Sequence, residues 1–376
     1  MNNILAPTYE KSIGGLWILW YSISNSYSVI DANFKFLIDS YLDVTSKAEF
    51  RALILDEDKN ANYSEIENTI SSYLSNCNIP TTHAEVDLTS FDSSHRNLSR
   101  YYSINGKVIQ VNYDSELVLK TVHPSIAHCS ISTYKSVDTT FDIYLKNDNL
   151  FLFKDESLIT SAPKLEYHKI QGKFIMHILC TIHDKPESDW IGTFHGSTIT
   201  DGNSSILIVG ASGKGKSTLC ALLTANGFNL LADDVSPMLS KNKNIYFNPG
   251  AISIKKGAFK ILEPIINSFK DLPPINFNKS KGTLKYLPCA IPEKLHYACH
   301  AVILVNYRDK SDTIIEQVSV KKMLETLIPD SWLSPNPYHA KQFIDWLGRI
   351  KIYELTYSDI KEVANEISIL FKSLNN

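Results

Sequence analysis

The chain has 376 residues, 44% of them hydrophobic and 20% charged, with 37 Lys+Arg against 40 Asp+Glu. At roughly 100–200 residues per domain this predicts two or three domains, with enough apolar side chains to bury real cores. A net charge of −3 excludes nucleic-acid or membrane-surface binding as the main activity, without excluding a local basic site.

No apolar run approaches the roughly 20 residues that span a bilayer. The most apolar early stretch, Leu16 to Tyr21, follows Glu10 and Lys11, which do not suit a signal peptide, so a soluble, unprocessed chain is expected. Cys77, Cys129, Cys180, Cys220, Cys289 and Cys299 are scattered with no C-x-x-C, as expected of buried thiols in a reducing cytosol.

Changes of pattern divide the chain at about 90 and 185. Residues 1–90 read as mostly helical: Val29 to Leu42 is apolar and aromatic, and Tyr63 to Leu74 places Ile66, Ile70, Tyr73 and Leu74 on one face behind a capping-box-like Asn62 and Glu65. With a β-like start at Ser22 to Ile30 and an extended stretch at Arg51 to Asp56, this suits a compact winged-helix-like module.

Residues 91–185 read as a mixed α+β segment that begins with a polar linker, Thr89 to Ser99. Phe141, Ile143 and Leu145 alternate, Asn147 to Asn149 supply a turn, and Leu150 and Leu152 resume, which predicts a hairpin. Leu165 to His183 then reads as a helix interrupted only by Gly172.

From residue 186 the pattern is α/β. Ile191 to Thr200 is extended, Asp201-Gly202 reads as a two-residue hairpin turn, and Ser205 to Val209 is an aliphatic strand. Gly210-Ala211-Ser212-Gly213-Lys214-Gly215-Lys216-Ser217 matches G-x-x-x-x-G-K-[ST], the phosphate-binding P-loop, and Leu219, Leu222 and Leu223 with Gly227 as stop predict the helix that should follow. Gly210, Ser212, Gly213, Lys214, Gly215 and Thr218 belong to this nucleotide cradle, where glycines let backbone N–H groups reach phosphate. Lys216 reaches the β/γ-phosphates, and the Ser217 hydroxyl suits Mg2+.

The next strand, Asn229 to Ala232, ends in Asp233 and Asp234. Neighbouring strand residues point to opposite faces, so one carboxylate can serve Mg2+ and the other an attacking hydroxyl. His195 precedes the hairpin and can contact phosphate or orient a carboxylate, or serve as a structural histidine. Lys255, Lys256, Lys281 and Lys285 can neutralise a phosphoryl group or stand solvated. Ala301 to Val305 reads as a buried strand that delivers Arg308 to the same edge.

In order, His195-Gly196, the Asp-Gly hairpin, the P-loop, its helix and Gly227-Phe228-Asn229-Leu230-Leu231-Ala232-Asp233-Asp234 resemble the catalytic domain of the HPr kinase/phosphorylase family, over residues 185–375. The resemblance implies an α/β P-loop core akin to phosphoenolpyruvate carboxykinase and transfer of phosphoryl from Mg-ATP to a protein serine. It further implies Asp233 as base, Asp234 with Ser217 at the metal, and His195, Lys216 and Arg308 in the catalytic set.

Pro249 to Gly257 looks like the related kinases of modified-peptide pathways, and relatives of this kind are often homo-oligomers. Residues 21–76 are similar to the PqqD-like peptide chaperones, which capture a leader peptide by strand addition. The expected activity is an ATP-dependent, cytoplasmic kinase acting on a Ser/Thr-type hydroxyl of a peptide or protein. A small-molecule hydroxyl kinase and a non-catalytic ATP-regulated peptide binder are the alternatives. A transporter-type ATPase is excluded, because Leu-Ser-Gly-Gly-Gln is missing and Asp233 follows Ser217 too closely for its long intervening subdomain.

Overall fold

The computed structural model describes residues 3–57, 59–80, 89–278 and 282–375. Its first unit opens with β1 (Tyr9–Ile13), β2 (Leu16–Tyr21) and β3 (Ser26–Asp31), an antiparallel sheet in that order. Gly14 and Gly15, at φ +60° and +80°, supply the left-handed pair that a two-residue hairpin turn requires. Three helices follow: α1 (Ala32–Asp43), α2 (Lys47–Glu57) and α3 (Tyr63–Cys77).

Three expectations are corrected here. The apolar run Leu16–Tyr21 is the central strand of a sheet, not an incidental stretch in a helical module. Val29 stays in β3, because the Asp31 carboxylate accepts from Phe34 N at 2.8 Å and starts α1 only at Ala32. Arg51 to Asp56 lies inside α2, since Phe50 and Ile54, four residues apart, are its buried positions, with Phe50 packed between the Tyr41 ring of α1 and the Tyr63 ring of α3. The capping box is formed: the Asn62 side chain accepts from Glu65 N at 3.4 Å and donates to the Glu65 carboxylate at 3.1 Å.

Strand β2 is buried on both faces. Leu19 and Tyr21 pack under α1–α3, while Ile18 and Trp20 join the core of the last unit.

The middle unit has a six-stranded sheet in the order β6-β4-β5-β7-β8-β9. Its strands are β4 (Leu98–Ile104), β5 (Lys107–Tyr113), β6 (Ser130–Ile131), β7 (Thr139–Lys146), β8 (Asn149–Lys154) and β9 (Ser157–Pro163). The helices α4 (Glu116–Ile126) and α5 (Tyr167–His183) cover one face through Val118, Val122, Ile170, Phe174 and Ile178. The β7–β8 hairpin turns at Asn147 and Asp148, both left-handed at φ +49° and +61°. Helix α4 is the crossover between the parallel pair β5 and β7.

The last unit is built on a ten-stranded sheet. Its first strands are β10 (Trp190–Phe194), β11 (Ser197–Thr200) and β12 (Ser205–Val209), followed by α6 (Lys216–Ala225), β13 (Asn229–Ala232), β14 (Ser236–Leu239) and β15 (Asn244–Tyr246). A small sheet, β16 (Ile252–Lys255), β17 (Ile275–Asn278) and β18 (Gly282–Leu287), carries α7 (Phe259–Leu262). The chain re-enters the main sheet as β19 (His296–Tyr307) and β20 (Ile314–Gln317), then α8 (Val320–Leu327), β21 (Trp332–Leu333), α9 (Pro337–Leu347), β22 (Lys351–Tyr357) and α10 (Ile360–Asn375).

The main sheet runs β13-β11-β12-β19-β15-β14-β10-β21, with β22 also on β19 and β20 on β22. Strands β12, β19 and β22 are parallel and buried on both faces. Ile206 and Ile208 of β12 face α6 and α10, whereas Leu207 and Val209 face the α8–α9 side, which accounts for its unbroken aliphatic run.

Two further expectations are corrected. The extended segment Ile191 to Thr200 is two strands broken at His195–Gly196, where a Cβ on Gly196 would lie 2.7 Å from the Ile208 carbonyl oxygen. The hairpin loop is four residues, Asp201 to Ser204, not two; the Asp201 carboxylate holds it by accepting from Asn203 N and Ser204 N, each at 2.9 Å. Among the described residues no helix is long and apolar enough to cross a membrane.

Candidate functional site

The loop 210–215 leaves the end of β12, next to β19, and enters α6. A Cβ on Gly210 would lie 3.0 Å from the Val305 carbonyl oxygen, so glycine permits this approach to β19. Gly213 and Gly215, at φ +84° and +93°, supply the left-handed backbone that leads into α6, whose first N–H groups have no acceptor within the helix. Ala211 to Lys214 are exposed, and Lys216, Ser217 and Thr218 of the first helical turn are half-buried. The Lys216 ammonium donates to the Gly210 carbonyl at 2.6 Å, folding its stem over the loop. Burial lowers the Lys216 pKa, and Asp234, Asp233 and Asp330 counter that shift. At the far end Gly227, at φ +95°, closes α6 with Phe228 N donating to Leu223 O at 3.2 Å.

Asp233 is 3% exposed and gathers three elements around one carboxylate. It accepts from Ser197 Oγ of β11 at 2.5 Å, from Ser217 Oγ of α6 at 3.2 and 3.3 Å, and from Ser253 N of β16 at 3.0 Å. Burial, with the neighbouring Asp234 charge second, pushes its pKa up to about 6 against these donors. No cation pairs with it among the described residues, so this is a buried carboxylate satisfied only by neutral donors.

Asp234 points the other way. It is exposed, holds φ +65°, and lies 3.4 Å from His195 Nδ1. The backbone N–H of His195 is fixed by Ser331 Oγ at 3.0 Å. Both aspartates lie just past β13, so the left-handed turn at Asp234 rather than strand alternation separates them, with Asp233 on Ser217 and Asp234 near His195.

Other expected cations separate. Lys255 at the end of β16 donates to Ser212 Oγ at 3.2 Å and so lies over the loop. Arg308 is exposed just past β19, its N–H bonded to Tyr357 O at 3.1 Å, on the same sheet edge. Lys256 is exposed beside Lys255. Lys285 is corrected: it is 5% exposed, donates to the carbonyls of Phe269 and Lys270 at 2.9 and 3.2 Å, and lies over the Phe259 and Phe269 rings, so it holds the small sheet together and is withdrawn from any ligand. Lys281 lies outside the described residues.

Ser197, Ser253, Ser331 and Asp330 were missed in the sequence. Ser253 lies within the Pro249 to Gly257 stretch already singled out, but a serine whose backbone N–H is the functional donor leaves no mark in residue type. All six cysteines are free thiols, with Cys220 and Cys299 buried. Among the described residues no group of three or more His, Cys, Asp or Glu is placed to hold a metal. Mg2+ differs from other metals in needing only one or two protein oxygens beside water and phosphate.

No protein-family model matches the chain. No curated protein matches it. Among solved structures, the Hpr(Ser) kinase/phosphatase from Coxiella burnetii is similar at 15% identity, over 47% of this chain and 97% of that one, with a TM-score of 0.22. A score of that size carries no argument about fold, activity or site.

Proposed function

We propose that loop 210–215 and the start of α6 cradle the phosphates of ATP, and that the chain transfers the γ-phosphoryl group to a hydroxyl of a peptide or protein. The observation that carries this reading is the Ser217–Asp233 contact beside Lys216. A helix N-terminus, an ammonium, a hydroxyl and a buried carboxylate with no ion-pair partner among the described residues converge there.

The residues fit Mg2+, because Asp233 is a buried carboxylate that has no ion-pair partner among the described residues. Ser217 and Asp233 would hold the ion, which supplies charge neutralisation at the phosphate oxygens when bound. This assignment reverses the division of labour suggested by the resemblance. Asp233 is sealed behind β11 and β16, whereas Asp234 is open to an incoming acceptor. His195 orients the Asp234 carboxylate, which takes the proton of the attacking hydroxyl as the new O–P bond forms and the bond to the departing ADP oxygen breaks. Lys216 leaves the Gly210 carbonyl for phosphate oxygen, and Lys255 and Arg308 flank the transferring group.

The peptide reading rests on the first unit. Among the described residues strand β3 pairs with β2 alone, which leaves one edge to which an extended peptide can add as a further strand, in the manner of the PqqD-like chaperones.

The test is incubation with Mg-ATP and candidate polypeptides, read by intact mass. A phosphoryl-sized gain that Lys216→Ala abolishes supports the reading. Nucleotide binding without a mass gain on any polypeptide moves the acceptor to a small hydroxyl compound, and failure to bind ATP removes the reading altogether.

A further inference from the structure

A second concave site lies at the opposite end of the main sheet from the glycine loop. It is a cleft of about 660 Å³ between the turn before β15, the start of β19, one side of α9 and the start of β22. Ser205 at the start of β12 pairs with Cys299 and Val209 at its end with Leu304, while Lys351 at the start of β22 pairs with Ala301. The cleft is lined at residues 298–300 and 349–351, and the glycine loop begins after Val209. The two are thus about 17 Å apart, the length of a five-residue strand.

The charge of the cleft is opposite to that of the chain. Among the described residues Lys243, Lys341, Arg349 and Lys351 line it with His300, against one carboxylate, that of Asp345. Asp345 is itself engaged by Lys11 and Lys341, each at 2.7 Å. Lys243, Arg349 and Lys351 form no ion pair among the described residues. Lys243 is moreover held at φ +58°, in a turn where Asn242 Oδ1 accepts from Asn244 N at 3.1 Å. That conformation is uncommon for lysine.

Like charges gathered in a concavity repel one another, and the repulsion is relieved by an anion of matching charge. Arg349 adds a planar fork suited to phosphate oxygen pairs. The volume falls within the roughly 300–1,000 Å³ of small-molecule sites and is closed on one side by α9.

We propose that this cleft binds a small organic molecule carrying two or more phosphate groups, at a site separate from the glycine loop. The ligand's phosphates lie between Arg349 and Lys351 on one wall and Lys243 on the other. Its approach also draws Lys341 from Asp345.

The test uses inorganic tripolyphosphate as probe, without Mg2+, in isothermal titration calorimetry on the full-length Lys216→Ala chain, so that the glycine loop does not contribute. Saturable one-to-one binding is expected, weakened at least tenfold by adding Arg349→Glu and Lys351→Glu. Both positions are exposed, and an unchanged melting curve shows that the fold is intact. Lys243→Glu alone, on a separate element, is expected to weaken the same binding and guards against a local disruption at the start of β22. Equal affinity in the parent and charge-reversed chains overturns the proposal, as does no saturable binding. Binding of a single-stranded oligonucleotide but not of tripolyphosphate also overturns it, in favour of a polymer surface. Because the parent already lacks Lys216, failure of the kinase reading leaves this test unaffected.

Discussion

The Lys11 ammonium and the Asp345 carboxylate meet at 2.7 Å across 334 residues of chain, joining β1 of the first unit to α9 of the last. Hydrogen bonds from Lys11 first and Lys341 second hold the Asp345 pKa down to about 2. A depressed carboxylate contributes stability that is present above its unfolded value near 4 and is lost as pH falls toward about 2. Side chains about one-third exposed limit the contribution to about 1 kcal/mol. The expected outcome is that Asp345→Asn lowers the melting temperature slightly at pH 6, and that the difference from wild type shrinks as pH falls below about 4 and is gone only below the folded value of about 2. A difference that persists unchanged at pH 2 would show the carboxylate charge to be irrelevant.

Asp233 and Ser217 give a prediction about metal coupling. If they hold Mg2+, Asp233→Asn should leave metal-free ADP affinity within about threefold while removing most of the tightening that Mg2+ produces. Asp234→Asn should leave both affinities near wild type and slow transfer by about a hundredfold or more, the scale of a lost general base. Titrations with and without Mg2+, alongside single-turnover transfer, separate the two aspartates. The opposite pattern would restore Asp233 as the base.

Gly196 predicts a steric effect. A Cβ there meets the Ile208 carbonyl oxygen at 2.7 Å and Val209 Cγ1 at 3.1 Å, and a backbone oxygen in β12 has little room to yield. Gly196→Ala should cost about 1–3 kcal/mol in denaturant unfolding and displace His195 from Asp234. Gly202→Ala, in a loop with open space around it but φ +93°, should cost less and leave transfer intact. Equal effects of the two would mean that the contact with β12 is not what demands glycine at 196.

Trp20 tests the docking of the first unit. Its ring is wholly buried against the last unit, and Nε1 donates at 3.0 Å to Asn25 Oδ1, whose amide donates to Leu333 O at 2.9 Å. Beside it the Tyr27 ring meets Phe343 edge-on at 5.3 Å. Trp20→Ala should cost about 3–5 kcal/mol and split a single calorimetric transition into two. A single transition at the wild-type temperature would show that the contact contributes nothing.

What could be read from the sequence follows the range of the interaction. β12, its glycine loop and α6 were visible because strand, turn and helix signals lie side by side, and the β7–β8 hairpin and α5 because their periods are regular. β1 and β2 were hidden: β2 is apolar on both faces, so it lacks the alternation that marks a strand, and its second partner lies more than 300 positions away. Arg51 to Asp56 misled because four apolar residues in a run fit either period, and Phe50, just outside it, decides. At the site, Lys216, Ser217, Asp233 and His195 were marked by type and spacing. Ser197 and Ser253 reach Asp233 only through β11 and β16, a meeting made by sheet pairing that no local pattern encodes.

The double-sided burial of β2 also has a consequence in time. Leu19 and Tyr21 find their partners as soon as α1–α3 have left the ribosome, but Ile18 and Trp20 wait for Phe343 and its neighbours on α9. At roughly 5–20 residues per second that interval is about 15–60 s, during which a nascent chain carries a folded unit with an uncovered aromatic face. Any contact that Trp20 makes during synthesis must be released before α9 can settle.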